Sequence, residues 1–216
     1  WYKYDQSIKQ VIIGEGITRI WIENLQGYLD AKISRSISIP STVTNINGPY
    51  NGPYNGTGTK HYGTHTFFKE FVVAAENSVF ASKDGVLFSK DMTTLIAYPR
   101  DRDGTSYTIP DGTTSILKWA FYQCNLLDII VPSSVNLVED YAFDEANSLT
   151  KIELPDSITN IGSYAFSGCG NLVDVKLSNN ITSILSSTFQ FCESLTDITI
   201  PVGVTSIEGS AFNGCY

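Results

Sequence analysis

Three cysteines recur at a fixed spacing, and a thiol can act as a nucleophile, a metal ligand or half of a disulfide. Cys169, Cys192 and Cys215 lie 23 residues apart, in "SYAFSGC", "SSTFQFC" and "GSAFNGC". These segments contain no histidine to activate a thiol and no Cys-x-x-Cys pair. Because Ala146 holds the same position in a neighbouring segment, we expect small buried side chains rather than a reactive or disulfide-bonded site.

Both histidines lie in one glycine-rich stretch, residues 47–66, "NGPYNGPYNGTGTKHYGTHT". His61 and His65 could chelate a metal from one face of a helix, but the glycine and threonine around them favour a solvated loop, so no metal site or cofactor is expected. Tyrosine rings in the same loop could offer flat faces to a sugar or a peptide. The loop residues predicted to contact a partner are Tyr50, Tyr54 and Tyr62.

Charged residues also recur at the same spacing, in a pattern that predicts one exposed face of a sheet. The outward residues of its four predicted strands are Asp128 and Ile130, Lys151 and Glu153, Asp174 and Lys176, and Asp197 and Thr199. Acids and lysines alternate from strand to strand, which favours cross-strand register support over a catalytic carboxylate pair. The "RDRDG" at 100–104 lacks the spaced acids of a calcium loop and is interpreted as a solvated turn.

The elements that must position these residues repeat every 23 residues or so. In 149–169, "LTKIELPDSITNIGSYAFSGC", the apolar spacing predicts a short strand, a turn at Pro155, a second extended piece and a single helical turn around Ala165 and Phe166. One such coil cannot bury its own apolar side, whereas stacked coils share a core. The repeat therefore predicts inward-facing stacks of Phe166 and Cys169 with their equivalents.

The whole chain, residues 1–216, is predicted to form one solenoid domain. Coils are regular over 106–216 and degenerate over 1–105, where the loop 47–66 and a β-hairpin at 84–99 interrupt them. The hairpin is expected to project from the stack, with Met92 in its turn as an exposed contact residue or as part of a different turn type.

A row of aromatic residues precedes the recurring phenylalanines: Trp119, Tyr141 and Tyr164. Three rings in register could form a stacking strip for a carbohydrate or a protein. The favoured interpretation is that they pad the rim of each helical turn.

Composition excludes several classes of function. A net charge of -8 and a pI near 4.7 argue against a nucleic-acid partner. No apolar run is long enough to span a membrane. No hydrolase, zinc-protease or nucleotide-binding signature is present, so an enzyme is not expected.

The repeat "LTKIELPDSITNIGSYAFSGCGN" resembles the BspA-like leucine-rich repeats, closely over 106–216 and loosely before that. The asparagine position of ordinary leucine-rich repeats holds Ser157, so the convex-side geometry of those proteins is not assumed. The resemblance implies a right-handed, β-rich α/β repeat, a leucine-rich-repeat horseshoe with short parallel strands. It also implies a secreted or surface-attached bacterial or protist protein that adheres to host proteins.

The function expected from these observations is non-catalytic binding of a host or cell-surface protein through the outer strand face. The alternative is a glycan-binding module that uses the tyrosine loop or the Trp119/Tyr141/Tyr164 strip. The chain stops at "FNGCY" directly after a complete coil, which predicts either a truncated chain or a homodimer formed through the exposed solenoid end.

Overall fold

The computed structural model describes residues 10–21, 36–47 and 69–216, which wind into a stack of β-rich coils. The tyrosine loop and both histidines lie outside these residues. The strands are β1 (Gln10–Ile12), β2 (Arg19–Trp21), β3 (Ser36–Ile39), β4 (Asn45–Asn47), β5 (Glu70–Val73), β6 (Phe80–Lys83), β7 (Val86–Ser89), β8 (Thr94–Ala97), β9 (Ser106–Thr108), β10 (Ser115–Ile116), β11 (Asp128–Ile130), β12 (Leu137–Val138), β13 (Lys151–Glu153), β14 (Asn160–Ile161), β15 (Asp174–Lys176), β16 (Ser183–Ile184) and β17 (Ser206–Ile207).

Two sheets run along the regular part of the stack. The front sheet contains β9, β11, β13 and β15, all parallel. The rear sheet contains β8, β10, β12 and β14 in parallel, and continues through the antiparallel strands β7 and β6. The coils that contain β9 to β14 each contribute one short strand to each sheet, as the repeat predicts, whereas β16 and β17 pair in a separate two-stranded sheet.

A ladder of phenylalanine rings runs through the core between the two sheets. Successive rings from Phe121 to Phe212 stack with centroid distances of 4.9 to 5.5 Å and interplanar angles of 4° to 5°. Phe143 and Phe166 are fully buried. Each ring therefore packs against the same ring of the neighbouring coils, which explains why the aromatic residue recurs.

The predicted helical turns around Ala165 and Phe166 are wrong, because no residue of the described ranges is helical. In the segment 163–169, alternate amides donate to the carbonyl three residues back, as Ala165 does to Gly162. The amides between them donate to the next coil, as Phe166 does to Thr188 at 2.9 Å. Half of the hydrogen bonds that a helix would keep to itself are thus made between coils.

This alternation depends on residues in the left-handed region of φ. Tyr164 has φ 58° and Gly168 has φ 71°, and equivalent residues in the other regular coils repeat these values closely. A right-handed helix cannot contain such residues. The aromatic residue at the first position conceals the signal, because bulky side chains rarely adopt positive φ.

The hairpin of β7 and β8 is present, but it does not project from the stack. Val86, Leu87, Phe88 and Leu95 are fully buried, and Met92 packs against the core with φ 63°. Val86 and Phe88 face the main core, whereas Leu87 faces a smaller core formed by β1–β6. The hairpin therefore contributes side chains to both cores and separates them.

Candidate functional site

The outer face of the front sheet carries most of the residues predicted to bind a partner. The ladder aligns Asp128 with Lys151 and Lys151 with Asp174, and places Glu153 beside Lys176. The ammonium of Lys176 lies 3.4 Å from a carboxylate oxygen of Glu153, and both side chains are largely exposed. The alternating charges support the strand register, as an exposed cross-strand pair does in general.

The backbone beneath this face is held in place from the core side. Ile129, Ile152 and Val175, the central residues of β11, β13 and β15, are buried, while their neighbours in each strand point outward. Each strand is hydrogen-bonded to the next through a parallel ladder. The exposed side chains are therefore presented from a rigid surface.

The predicted fourth strand of this face is wrong. Residues 195–200 form no strand, and the front sheet ends at β15. Asp197 accepts a hydrogen bond from the hydroxyl of Thr196, its chain neighbour, at 3.2 Å. Asp197 and Thr199 are exposed, but the ladder that aligns the other six residues does not include them.

Sequence reasoning missed two exposed apolar residues directly before strands of the face. Leu127 and Val173 are 45% and 54% exposed, and Ile130, which was predicted, is 53% exposed. Leu127 and Val173 precede β11 and β15 at the position where the intervening coil has Thr150. Aligning the repeats would have revealed these residues, because an exposed position that holds a large aliphatic side chain in some coils and threonine in others is unusual for a surface that contacts only water.

The Trp119/Tyr141/Tyr164 strip is present as a ring stack. It lies at the rim of the turn segments, which are residues 163–169 and their equivalents in the other coils. Ring centroids are 5.3 Å apart between Trp119 and Tyr141 and 4.7 Å apart between Tyr141 and Tyr164. The ammonium of Lys118 lies 4.4 Å from the Trp119 ring centroid. Because the rings cover one another's faces, the strip supports the stack more directly than it offers a platform to a sugar.

The cysteines occupy the interior positions that the repeat predicts. All four are free, and Cys124, Cys169 and Cys192 are buried. The thiol of Cys169 donates to the carbonyl oxygen of Phe143 at 3.1 Å, and those of Cys192 and Cys215 make the same bond one and two coils on. Burial raises the pKa of Cys124 and of Cys192 to about 12, so these thiols are protonated at neutral pH.

Residues 10–21, 36–47 and 69–216 contain neither a metal-binding cluster nor a membrane-spanning helix. No group of three or more histidine, cysteine or acidic side chains there is arranged to hold a metal ion. The same residues include no helix with the length and apolar character needed to cross a bilayer.

Comparison with protein families identifies one that matches more than half of the chain. A family profile described as "BspA type Leucine rich repeat region" matches residues 98–216 in six copies. No curated protein shows significant sequence similarity to the chain.

Three solved structures share the fold at low identity. A leucine-rich repeat protein from Eubacterium ventriosum aligns with a TM-score of 0.62 at 23% identity, over 96% of this chain and 64% of that one. The pneumococcal vaccine antigen PcpA aligns with a TM-score of 0.56 at 24% identity, over 92% of this chain and 40% of that one. A leucine-rich cell surface protein from Faecalibacterium prausnitzii aligns with a TM-score of 0.55 at 24% identity, over 97% of this chain and 52% of that one. The chain thus spans about two fifths to just under two thirds of the length of these proteins.

Proposed function

Because the chain belongs to the BspA type leucine-rich repeat family, we propose that it is a non-catalytic binding protein, displayed on a cell surface or secreted. It recognises a partner protein through the outer face of the front sheet. The observation that carries this proposal is the exposure of three large aliphatic side chains: Ile130 on that face, and Leu127 and Val173 at the residues directly before two of its strands. The two similar structures described as a surface protein and a vaccine antigen support the same location.

The chemistry of the face suits a protein surface. Its aliphatic groups can be buried by a partner, while Lys151, Glu153, Asp174 and Lys176 lie between and beside them with charges of both signs. Protein interfaces contain such a mixture of apolar and charged groups. We include Tyr50, Tyr54 and Tyr62 in the proposal as additional contacts from the loop.

A capture experiment tests this surface. Wild-type protein is immobilised and exposed to candidate host or cell-surface material, and the retained partner is identified and titrated. Ile130→Ser combined with Val173→Ser should weaken its affinity at least tenfold, since an interface anchor contributes about 1 to 2 kcal/mol. Lys151→Glu combined with Lys176→Glu should also weaken it.

The matched control is Val202→Ser, which changes a fully exposed valine away from this face. Capture by the control should equal that of wild type, and circular dichroism should show that all variants are folded. Equal capture by the Ile130/Val173 variant and the control would exclude the front sheet as the binding surface.

Glycan binding through the aromatic strip is the alternative from sequence, and the stacked rings do not favour it. A glycan array of wild type beside Tyr164→Ala separates the two functions. Sugar selectivity that is lost in the variant would favour the strip.

A further inference from the structure

Two strands of the front sheet carry opposite charges on their outer face. β13 presents Lys151 and Glu153, and β15 presents Asp174 and Lys176, in each case on either side of a buried central residue. Pairing within one chain needs signs that alternate from strand to strand, and the ladder shows that alternation. It does not need opposite signs within a strand. The charge pattern therefore contains more order than the sheet itself requires.

Opposite charges within a strand make this face complementary to itself. Consider a two-fold axis that runs along the stack, in the plane of contact, above the central residues of the strands. It places each strand antiparallel to the same strand of a second copy and exchanges the two outward positions. Lys151 then meets Glu153 of the second copy, and Asp174 meets Lys176 of the second copy. Each of these contacts occurs twice.

The other two strands of the front sheet permit the same contact. β9 offers Ser106 and Thr108, which are exposed and uncharged and would face each other. β11 would place Asp128 of one copy beside Ile130 of the other, a pair that neither attracts nor repels. No like charges are directly opposed in this arrangement, and all four strands take part in it.

A two-fold axis parallel to the strands fits less well. Centred between β13 and β15, it also pairs opposite charges, because the signs alternate from strand to strand. It would, however, bring Asp128 toward Asp197 of the second copy and leave β9 without a contact. Charge complementarity therefore favours the axis along the stack.

We infer that the front sheet binds the same face of a second copy of this chain, so that two surfaces carrying the protein adhere to each other. This inference rests on the proposed function, because it identifies the partner of the same face. The side chains of Lys176 and Glu153 are 68% and 76% exposed, although they form an ion pair within the sheet. Both charged groups therefore remain accessible to a second copy.

The contact is small, which determines how it must be measured. Four strands of three residues, about 4.8 Å apart, cover roughly 15 by 10 Å, well below the area of a stable dimer. Exposed ion pairs contribute little individually and are screened by salt. Two single molecules should therefore associate weakly, whereas many copies on each of two surfaces should adhere firmly at low ionic strength.

Beads coated with the full chain test the contact. The acidic-face variant combines Lys151→Glu with Lys176→Glu, and the basic-face variant combines Glu153→Lys with Asp174→Lys. Wild-type beads should aggregate, and beads coated with either variant alone should stay dispersed, because like charges then face each other. A mixture of the two variants should aggregate again, since each outward charge of β13 and β15 meets its opposite. A loss of fold would not be reversed by mixing.

Arg19→Glu combined with Lys90→Glu is the matched control. Both residues are exposed and lie outside the front sheet, and their reversal changes the net charge as the acidic-face variant does. Control beads should aggregate like wild type. Mixed with basic-face beads they should stay dispersed, because attractive and repulsive contacts are then equal in number. All of these proteins remain net negative, since the chain carries -8, so bulk attraction does not explain recovery in the mixture.

Three results would overturn the inference: dispersed wild-type beads at low ionic strength, aggregation of acidic-face beads by themselves, or no aggregation in the mixture of the two variants. The proposed function is tested separately, by capture of host or cell-surface material. If wild-type beads stay dispersed while that capture depends on Ile130 and Val173, the front sheet binds a different protein, and only the homotypic contact is wrong.

Discussion

Asp144 is a largely buried carboxyl group whose ionisation opposes folding. Burial raises its pKa to about 7, the neighbouring Glu145 adds to the rise, and a hydrogen bond with Ser167 only partly offsets it. In the unfolded chain an aspartate titrates near pH 4. The folded protein therefore holds a proton that the unfolded chain releases between about pH 4 and pH 7, and stability falls as pH rises through that window.

Asp144→Asn should remove this loss. At pH 8 the variant should exceed wild type in free energy of unfolding by up to about 4 kcal/mol, which is the upper limit set by the difference in pKa. Below pH 4, where the carboxyl is protonated in both states, the two proteins should be equally stable. Urea unfolding at pH 4, 6 and 8 measures the difference.

Asp156→Asn provides a control of opposite sign. The backbone amide of Asn179 donates to the Asp156 carboxylate at 2.8 Å and lowers its pKa. That stabilisation is present above pH 4 and is lost as pH falls through the folded pKa. A variant pair in which both substitutions shift stability in the same direction at pH 8 would contradict this account of Asp144.

At the same scale, the sequence predicts where the cysteines lie but not what they do there. The 23-residue spacing and the alanine at 146 indicate a small buried side chain. They do not reveal that the thiol of Cys169 donates to the carbonyl of Phe143. A hydrogen bond between residues 26 apart in sequence depends on how one coil is displaced over the next, and the spacing alone does not contain that displacement.

Gly162 decides how closely two turn segments approach each other. A Cβ atom at this residue would lie within 2.6 Å of backbone atoms of Glu139 and Asp140 in the preceding coil. Gly162 also donates its amide to the carbonyl of Val138 at 2.8 Å, so the contact cannot widen without loss of that bond.

Gly162→Ala should therefore lower the free energy of unfolding by about 2 to 3 kcal/mol, as overpacking against a backbone does. Gly209→Ala is the control, because no described atom lies within 4 Å of its added Cβ. It should change stability by less than about 0.5 kcal/mol. Chemical denaturation measures the free energy of unfolding of both variants. Equal stability of the two would contradict the inferred steric conflict, because it would mean that the coils can move apart without loss of stability.

Strands and turn segments were predictable to different degrees. The alternation of Ile152 with Lys151 and Glu153 predicts both the strand and its outward face, and the ladder confirms it. The turn segments were misassigned because the spacing of Ala165 and Phe166 is also compatible with a helical turn. The difference lies in backbone φ, and the glycines at 168 and 214 are its only trace in the sequence of those coils.

For the molecule as a whole, the hairpin strand β7 determines how far a local defect spreads. Leu87 packs into the small core and Phe88 into the main core, although they are adjacent in sequence. In a stack where each coil contacts only its neighbours, stability is close to a sum of local terms. Damage on one side of β7 should therefore remain on that side.

Leu87→Ala and Phe88→Ala test this division as a matched pair. Each removes a buried side chain at a cost of about 2 to 5 kcal/mol. Leu87→Ala should accelerate amide hydrogen exchange in β3 and β5, and Phe88→Ala should accelerate it in β8 and β10. Equal acceleration in both regions after either substitution would indicate one cooperative core.

The hydrogen bonds that turn segments send to the next coil also govern the response to mechanical load. Tension along the chain would break the bonds of one coil together while leaving the adjacent coil seated on its own neighbour. Each coil so released would lengthen the chain by roughly 70 to 80 Å, given about 3.3 to 3.6 Å for each extended residue. A chain built this way should extend in steps under load, and each step should dissipate energy as one coil is released.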